Sequence, residues 1–139
     1  MKAFIITLMK DVWSLSYAER CLQSIQDTES EIEATLFDAT TPETIFPVAW
    51  TWPTGKKITC PKTNLFLKPY KTYDNHKRIA AAQSHFRLWQ LCASMNEPIM
   101  ILEHDAIFTK KFTAQETSAI LVGAYSINDP RGATFKAKD

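Results

Sequence analysis

Pro98-Ile99-Met100-Ile101-Leu102-Glu103-His104-Asp105 decides how this chain folds: an unbroken apolar run that ends abruptly in charge. A short continuous apolar run, bounded by a proline on one side and acids on the other, reads as a strand buried on both faces, the form typical of parallel sheets. Ala3-Phe4-Ile5-Ile6-Thr7-Leu8-Met9 is a second run of the same kind, and a further strand is expected from Ile32 to Phe37, ending at Asp38. Helical patterns lie between them. Strands that alternate with helices give an α/β domain built on a mostly parallel sheet flanked by helices, and the first strand–helix–strand unit is expected to be right-handed.

The first helix is expected to start at Ser14 or Ser16 as the cap and to run to about Gln26, with Leu15, Ala18, Cys21 or Leu22, and Ile25 repeating at helical spacing. The second follows a cap at Asp74 or Asn75. Ile79, Ala82, Phe86, Trp89 and Ala93 form one apolar stripe, and His85, Leu88, Cys92 and Met95 an adjacent one. This leaves a narrow polar edge at Ser84, Arg87 and Ser94 and predicts a largely buried helix. Asn96-Glu97-Pro98 ends it. From about 41 to 73, Pro42, Pro47, Pro53, Pro61 and Pro69 break any long element. The expectation there is an irregular excursion with a short helix after Thr41 and an extended piece near Leu65-Phe66-Leu67. Ser118 to Tyr125 reads as a further strand, followed by a turn at Asn128-Asp129-Pro130-Arg131-Gly132, from which Arg131 is a candidate anion contact.

The bulk numbers narrow the function. The 139 residues are 45% hydrophobic and 22% charged, with a net charge of +1, as in an ordinary single globular domain. Neither GxGxxG nor GxxxxGK[ST] is present, so a dinucleotide fingerprint and a P-loop are both excluded. The near-neutral charge gives no field for nucleic acid or a membrane surface. No run reaches the roughly 18–20 apolar residues of a membrane helix. Cys21, Cys60 and Cys92 are odd in number and lack CxxC spacing, which suits reduced thiols in a cytoplasmic protein. The stretch from Lys56 to Arg78 holds seven basic residues against Asp74 alone, serving either an anionic ligand or solvent. Phe66, Tyr70 and Tyr73, interleaved with those lysines, suit stacking on a base, and with this charge a nucleotide fits better than a nucleic acid.

Glu103 and Asp105 are the candidate chemistry. If strand alternation holds through Asp105, the two carboxylates share one face and His104 takes the other. They stand at the carboxyl end of a parallel strand, where open α/β sheets bind ligands. Paired carboxylates repel, and a hard divalent cation such as Mg²⁺ or Mn²⁺, completed by phosphate oxygens and water, relieves the repulsion. Strands also end in acids that simply face solvent, and Glu-X-Asp alone does not separate the two readings. Ser84 and His85 are neighbours on a helix and so point about 100° apart, which is wrong for direct activation of a serine. His85 is either a hydrogen-bonded core histidine or part of the site.

Three phrases, in order, resemble glycosyltransferase family 25, the lipopolysaccharide-biosynthesis and procollagen galactosyltransferase group. They are the opening strand Phe4-Ile5-Ile6-Thr7-Leu8 followed by Arg20, the helix phrase Ala80-Ala81-Ala82-Gln83-Ser84-His85, and Ile101-Leu102-Glu103-His104-Asp105-Ala106. The resemblance implies a GT-A-like, Rossmann-like fold. It also implies a nucleotide-sugar donor (a UDP-sugar) and Mn²⁺ or Mg²⁺ held by Glu103 and Asp105. Ser84, His85 and Arg20 would join those two in binding the donor, and the sugar would pass, with inversion, to a hydroxyl of a glycan. His104 stands where the family has a middle acid, and Ala80 and Ala81 replace its usual glycine and cysteine. The family's domain is longer than this chain, so the resemblance implies an incomplete sheet and a truncated member. No residue emerges as the catalytic base. Two functions follow as expectations: a metal-dependent glycosyltransferase, or a non-catalytic module that keeps the fold for binding or assembly.

Overall fold

A computed structural model of the chain describes residues 1–47, 57–62, 64, 66–67 and 73–113. Its elements are β1 (Lys2–Thr7), α1 (Val12–Asp27), β2 (Glu33–Asp38), a 3-10 turn (Pro42–Thr44), β3 (Ile58–Thr59), β4 (Phe66–Leu67), α2 (Asn75–Met95) and β5 (Ile99–Glu103). β1 lies at the centre of a three-stranded sheet of order β2-β1-β5. Both of its pairings are parallel, with Lys2 beside Glu33 on one edge and Ile99 on the other. The α/β class and parallel sheet expected from the apolar runs are therefore present, consistent with a partial Rossmann-like GT-A fold. The expected strand at Ser118–Tyr125 and the turn with Arg131 lie outside the described residues.

Strand alternation sorts the sheet into two faces. Ile5 packs with Ala18, Cys21 and Ile25 of α1, joined by Ala34, Leu36 and Leu102. Ile6 packs with Leu88 of α2, joined by Phe4, Phe37, Ile99 and Ile101. The helices thus cover opposite faces. Ile5 is fully buried, and truncating such a side chain to alanine costs about 2–5 kcal/mol.

α1 buries Ser14, Ala18, Cys21, Ser24 and Ile25, the helical period expected. Its cap differs. Asp11 rather than Ser14 or Ser16 caps the helix, accepting from the Ser14 N–H at 2.8 Å. Ser14 is already within the first turn, where its Oγ accepts the Leu8 N–H at 2.9 Å. β1 accordingly stops at Thr7 and the chain turns, leaving Leu8 and Met9 exposed instead of in the strand. The short helix after Thr41 is the 3-10 turn, and the extended piece near Phe66 pairs antiparallel with β3. Lys57 sits 3.6 Å from the Phe66 ring centre, so one of the basic residues of this stretch is held by a cation–π contact.

α2 departs most from the periodicity. Asp74 caps it as expected, accepting from the N–H groups of His76 and Lys77, and Asn96 ends it in a left-handed conformation. Its buried residues, however, are Ala80, Gln83, Ser84 and Leu88, while Trp89 is 52% exposed. Ser84 of the expected polar edge lies inside with Gln83, whereas Ser94 is exposed, and the helix is half-buried. The cause is hydrogen bonding to the segment after β2. Ser84 Oγ accepts the Thr40 N–H at 2.9 Å, and the Gln83 amide both accepts from the Phe46 N–H at 3.1 Å and donates to the Phe46 carbonyl at 2.5 Å. Arg87 donates to the Asp38 carbonyl at 2.9 Å and lies over the Phe37 ring. Buried polar side chains are stable where such partners exist.

After β5 the chain runs back along α1. The Phe108 N–H donates to Ser24 Oγ at 3.0 Å, the Phe112 N–H to Ser30 Oγ at 2.9 Å, and the Glu31 N–H to the Phe112 carbonyl at 3.0 Å. No helix among the described residues is long and apolar enough to cross a membrane.

Candidate functional site

Three strand ends and the first turns of α2 enclose a pocket of about 300 Å³. Ile6 and Leu8 come from the end of β1, Ala39 to Pro42 from the segment after β2, and Glu103 and His104 from the end of β5. Lys77, Ala80, Ala81 and Ser84 face them from α2. This is the carboxyl edge of a parallel sheet, where such folds bind ligands, and the volume falls at the lower end of small-molecule sites.

Glu103 has the same strand parity as Ile99 and Ile101, so it faces α2. There His85, one turn before Leu88, places Nε2 2.8 Å from Glu103 Oε1. That hydrogen bond is the main reason the Glu103 carboxyl is held below its ordinary value, with the positive fields of His85 and His104 adding to it and partial burial opposing it. Glu103 is therefore a fixed, ionised carboxylate in the wall of the pocket. Oε2 makes no hydrogen bond to the described residues. His85 is half-buried, not buried as its helical position implied, and its ring lies 6.4 Å from that of Trp89.

The expected alignment of Glu103 with Asp105 is corrected. β5 stops at Glu103, and a turn closed by the Ala106 N–H on the Glu103 carbonyl at 3.1 Å follows at once. The strand condition for alternation ends there: Glu103 and His104 both line the pocket and Asp105 does not. Burial, with the charge of Asp105 adding to it, pushes the Cys21 thiol up to about 11. Among the described residues no group of three or more His, Cys, Asp or Glu side chains is placed to hold a metal ion. Glu103 is the carboxylate among the described residues that lines the pocket, and Asp105 follows it two residues on in the turn. Mg²⁺ or Mn²⁺ needs no more than one or two carboxylates from the protein when phosphate oxygens complete the shell.

Ser84 is 1% exposed and borders the pocket, but its hydroxyl is committed to Thr40 and to the Ala80 carbonyl, so it fixes the wall. Arg20 lies outside the pocket on α1, 5.7 Å from the Tyr17 ring, and Tyr17 lies 6.0 Å from the His104 ring. Lys77 belongs to the basic Lys56–Arg78 stretch, whose composition suits an anionic ligand, and Thr40 is a pocket residue that no sequence motif marked.

The chain matches no curated protein and no solved structure. The family model described as glycosyltransferase family 25 (LPS biosynthesis protein) matches residues 1–121, a span that takes in β1, the pocket and the Glu103 turn. By that match, this chain belongs to glycosyltransferase family 25.

Proposed function

We propose that the chain is a metal-dependent glycosyltransferase, taking a sugar from a nucleotide-sugar donor, a UDP-sugar, and passing it to a hydroxyl of a glycan acceptor. The observation that carries this reading is Glu103, held as a carboxylate by His85 in the wall of a pocket at the strand ends that Lys77 also lines. A nucleotide diphosphate needs cationic and metal-bridged neutralisation, and the pocket offers both a lysine and an anchored carboxylate. Glu103, with Asp105 on the following turn, would hold Mn²⁺ or Mg²⁺, which neutralises charge developing on the departing diphosphate. Lys77, which also lines the pocket, adds a positive charge. The α2 N-terminus contributes less, because Asp74 already occupies the N–H groups of His76 and Lys77.

In the reaction, the acceptor oxygen bonds to the anomeric carbon as the bond from that carbon to the diphosphate oxygen breaks. The electron pair leaves with the nucleoside diphosphate and the hydroxyl proton passes to a base. One displacement inverts the anomeric centre, as the family resemblance implies. The three cysteines, none of them in a disulfide, support a cytoplasmic setting for this chemistry.

Calorimetric titration of UDP-sugars, with and without Mn²⁺, tests the reading in wild type, Glu103→Ala and Asp105→Ala. Binding should strengthen with Mn²⁺ and weaken in Glu103→Ala. Affinities unchanged by metal and by both substitutions refute it. One observation favours a second reading, a non-catalytic binding module: Asp105 is not among the residues that line the pocket, leaving Glu103 as its carboxylate. Sugar transfer by the chain itself eliminates that alternative.

A further inference from the structure

The net charge of +1 conceals a separation of sign along the chain. Asp27, Glu29, Glu31 and Glu33 fall where α1 ends and β2 begins, at the amino edge of the sheet. From Thr44 to Tyr73, by contrast, the sequence carries Lys56, Lys57, Lys62, Lys68 and Lys71, six aromatic residues and no acid. This segment leaves and rejoins the core at the carboxyl edge. Phe46 is held there by the Gln83 amide, and α2, into which the segment runs, brings Lys77 to the pocket.

The β3–β4 pair shows how such residues are presented. Thr59 pairs with Phe66 across the antiparallel ladder, and Lys57, two residues before Thr59, shares their face. All three are exposed, Phe66 by 65%, whereas Ile58 and Cys60 of the other parity are half-buried. Lys57 Nζ lies 3.6 Å from the centre of the Phe66 ring, so the lysine stem and the ring form one apolar surface with the charge at its margin. Lys62, in the turn after β3, is exposed as well. A ring face already taken by an ammonium group is closed to a stacked base or sugar. At a bilayer boundary the same ring loses water while both ammonium groups stay level with the lipid phosphates, where snorkelling lysines are stable. An anionic leaflet attracts such lysines and repels a pole of acidic residues.

We propose that the exposed face of β3–β4, with Lys57, Phe66 and Lys62, docks on an anionic lipid surface. The headgroup phosphates lie against the two lysines and the Phe66 ring reaches the acyl boundary. The acidic pole at the start of β2 keeps the amino edge of the sheet away from the bilayer, so the carboxyl edge and its pocket are turned towards it. This docking is independent of what the pocket binds.

The test is co-sedimentation of the whole chain with vesicles of phosphatidylcholine alone or mixed with phosphatidylglycerol. The chain should bind the mixed vesicles and not the neutral ones, and raising the salt to about 0.5 M should release it. Lys57→Gln and Lys62→Gln should each weaken binding about fivefold, the worth of one lysine near such a surface. Phe66→Ala should also weaken it about fivefold, through lost apolar contact. A Lys110→Gln, Lys111→Gln double variant is the control. These exposed lysines lie beside the acidic edge, where the Phe112 N–H meets Ser30, and their loss should leave binding unchanged. Circular dichroism and UDP affinity should match wild type throughout. Absence of binding, equal binding to both kinds of vesicle, or a loss in the control as large as in the Lys57 and Lys62 variants overturns the proposal. Wild-type binding by Phe66→Ala overturns it too. So does Lys57-dependent binding of an oligo(dT) strand in place of vesicles, which assigns the face to nucleic acid, and so does a fall in UDP affinity in the lysine variants, which assigns it to the donor. Vesicle binding that depends on Lys57 and Phe66 while UDP fails to bind upholds the docking and removes the donor reading instead.

Discussion

Replacing Ser84 by alanine removes one hydroxyl from the best-enclosed part of the pocket wall. Ser84 is 1% exposed and Thr40, whose N–H it accepts at 2.9 Å, is 5% exposed. The other bond of the hydroxyl, to the Ala80 carbonyl at 3.0 Å, lies within α2, where the helical ladder also uses that carbonyl, so its loss costs little. The Thr40 N–H has no such substitute. Leaving a buried donor unsatisfied costs about 1–3 kcal/mol, and a central value near 2 kcal/mol is expected here. For a chain of this length that lowers Tm by roughly 6–10 °C. With a urea dependence of about 2 kcal/mol/M it lowers the unfolding midpoint by ~1 M. Because Thr40, Thr41 and Pro42 line the pocket, UDP affinity should fall as well. Urea unfolding followed by circular dichroism measures the first effect, and calorimetry the second. Ser16→Ala, an exposed serine on α1, is the control and should move neither. A midpoint shift for Ser84→Ala no larger than for Ser16→Ala would refute the claim that this hydroxyl anchors the segment after β2.

His85→Ala frees the Glu103 carboxyl, which should then titrate nearer its ordinary value of 4.5 by NMR. A depressed carboxyl stabilises the fold above its unfolded pKa and ceases to do so as pH falls through its folded pKa. The stability gap between wild type and His85→Ala should therefore be full above about pH 4.5 and close below it. Glu103 is 56% exposed, so the gap should stay below about 1 kcal/mol, and a gap that widens in acid contradicts the assigned bond. Cys21 is fully buried with its thiol pushed up to about 11, so iodoacetamide at pH 8 should modify it only after unfolding. Peptide mapping that finds Cys21 labelled in the native chain as fast as Cys60 would contradict its burial.

Where the sequence was legible, and where it was not, follows from the range of the forces involved. Ile99 to Leu102 and Ala3 to Ile6 are strands because nothing within them is polar, and Ala18, Cys21 and Ile25 mark the inner face of α1 by period alone. Gln83 and Ser84 defeat the same rule. Their burial depends on backbone groups of Thr40 and Phe46, about forty residues away and supplied only once the chain has folded. Glu103 and His85 were each identifiable, yet their pairing depends on α2 crossing to the face that Ile99 and Ile101 share. The shared face of Glu103 and Asp105 required period-two alternation two residues past Glu103, where the strand ends. Lys77 was part of the basic stretch, but its place at the ligand edge is set by topology and not by a motif.

The central position of β1 also bears on how the molecule is made. Of the three strands of this sheet, β1 leaves the ribosome before the two that flank it, and its second neighbour begins at Ile99. At a synthesis rate of about 5–20 residues per second, that neighbour emerges roughly 5–20 s after Lys2. Until then Ile5 and Ile6 belong to a strand with one open edge, a template for pairing with other nascent chains. Both pairings are distant in sequence, so the fold closes slowly even after release. The rate of β5 arrival, more than the stability of the finished sheet, should set the yield of soluble chain.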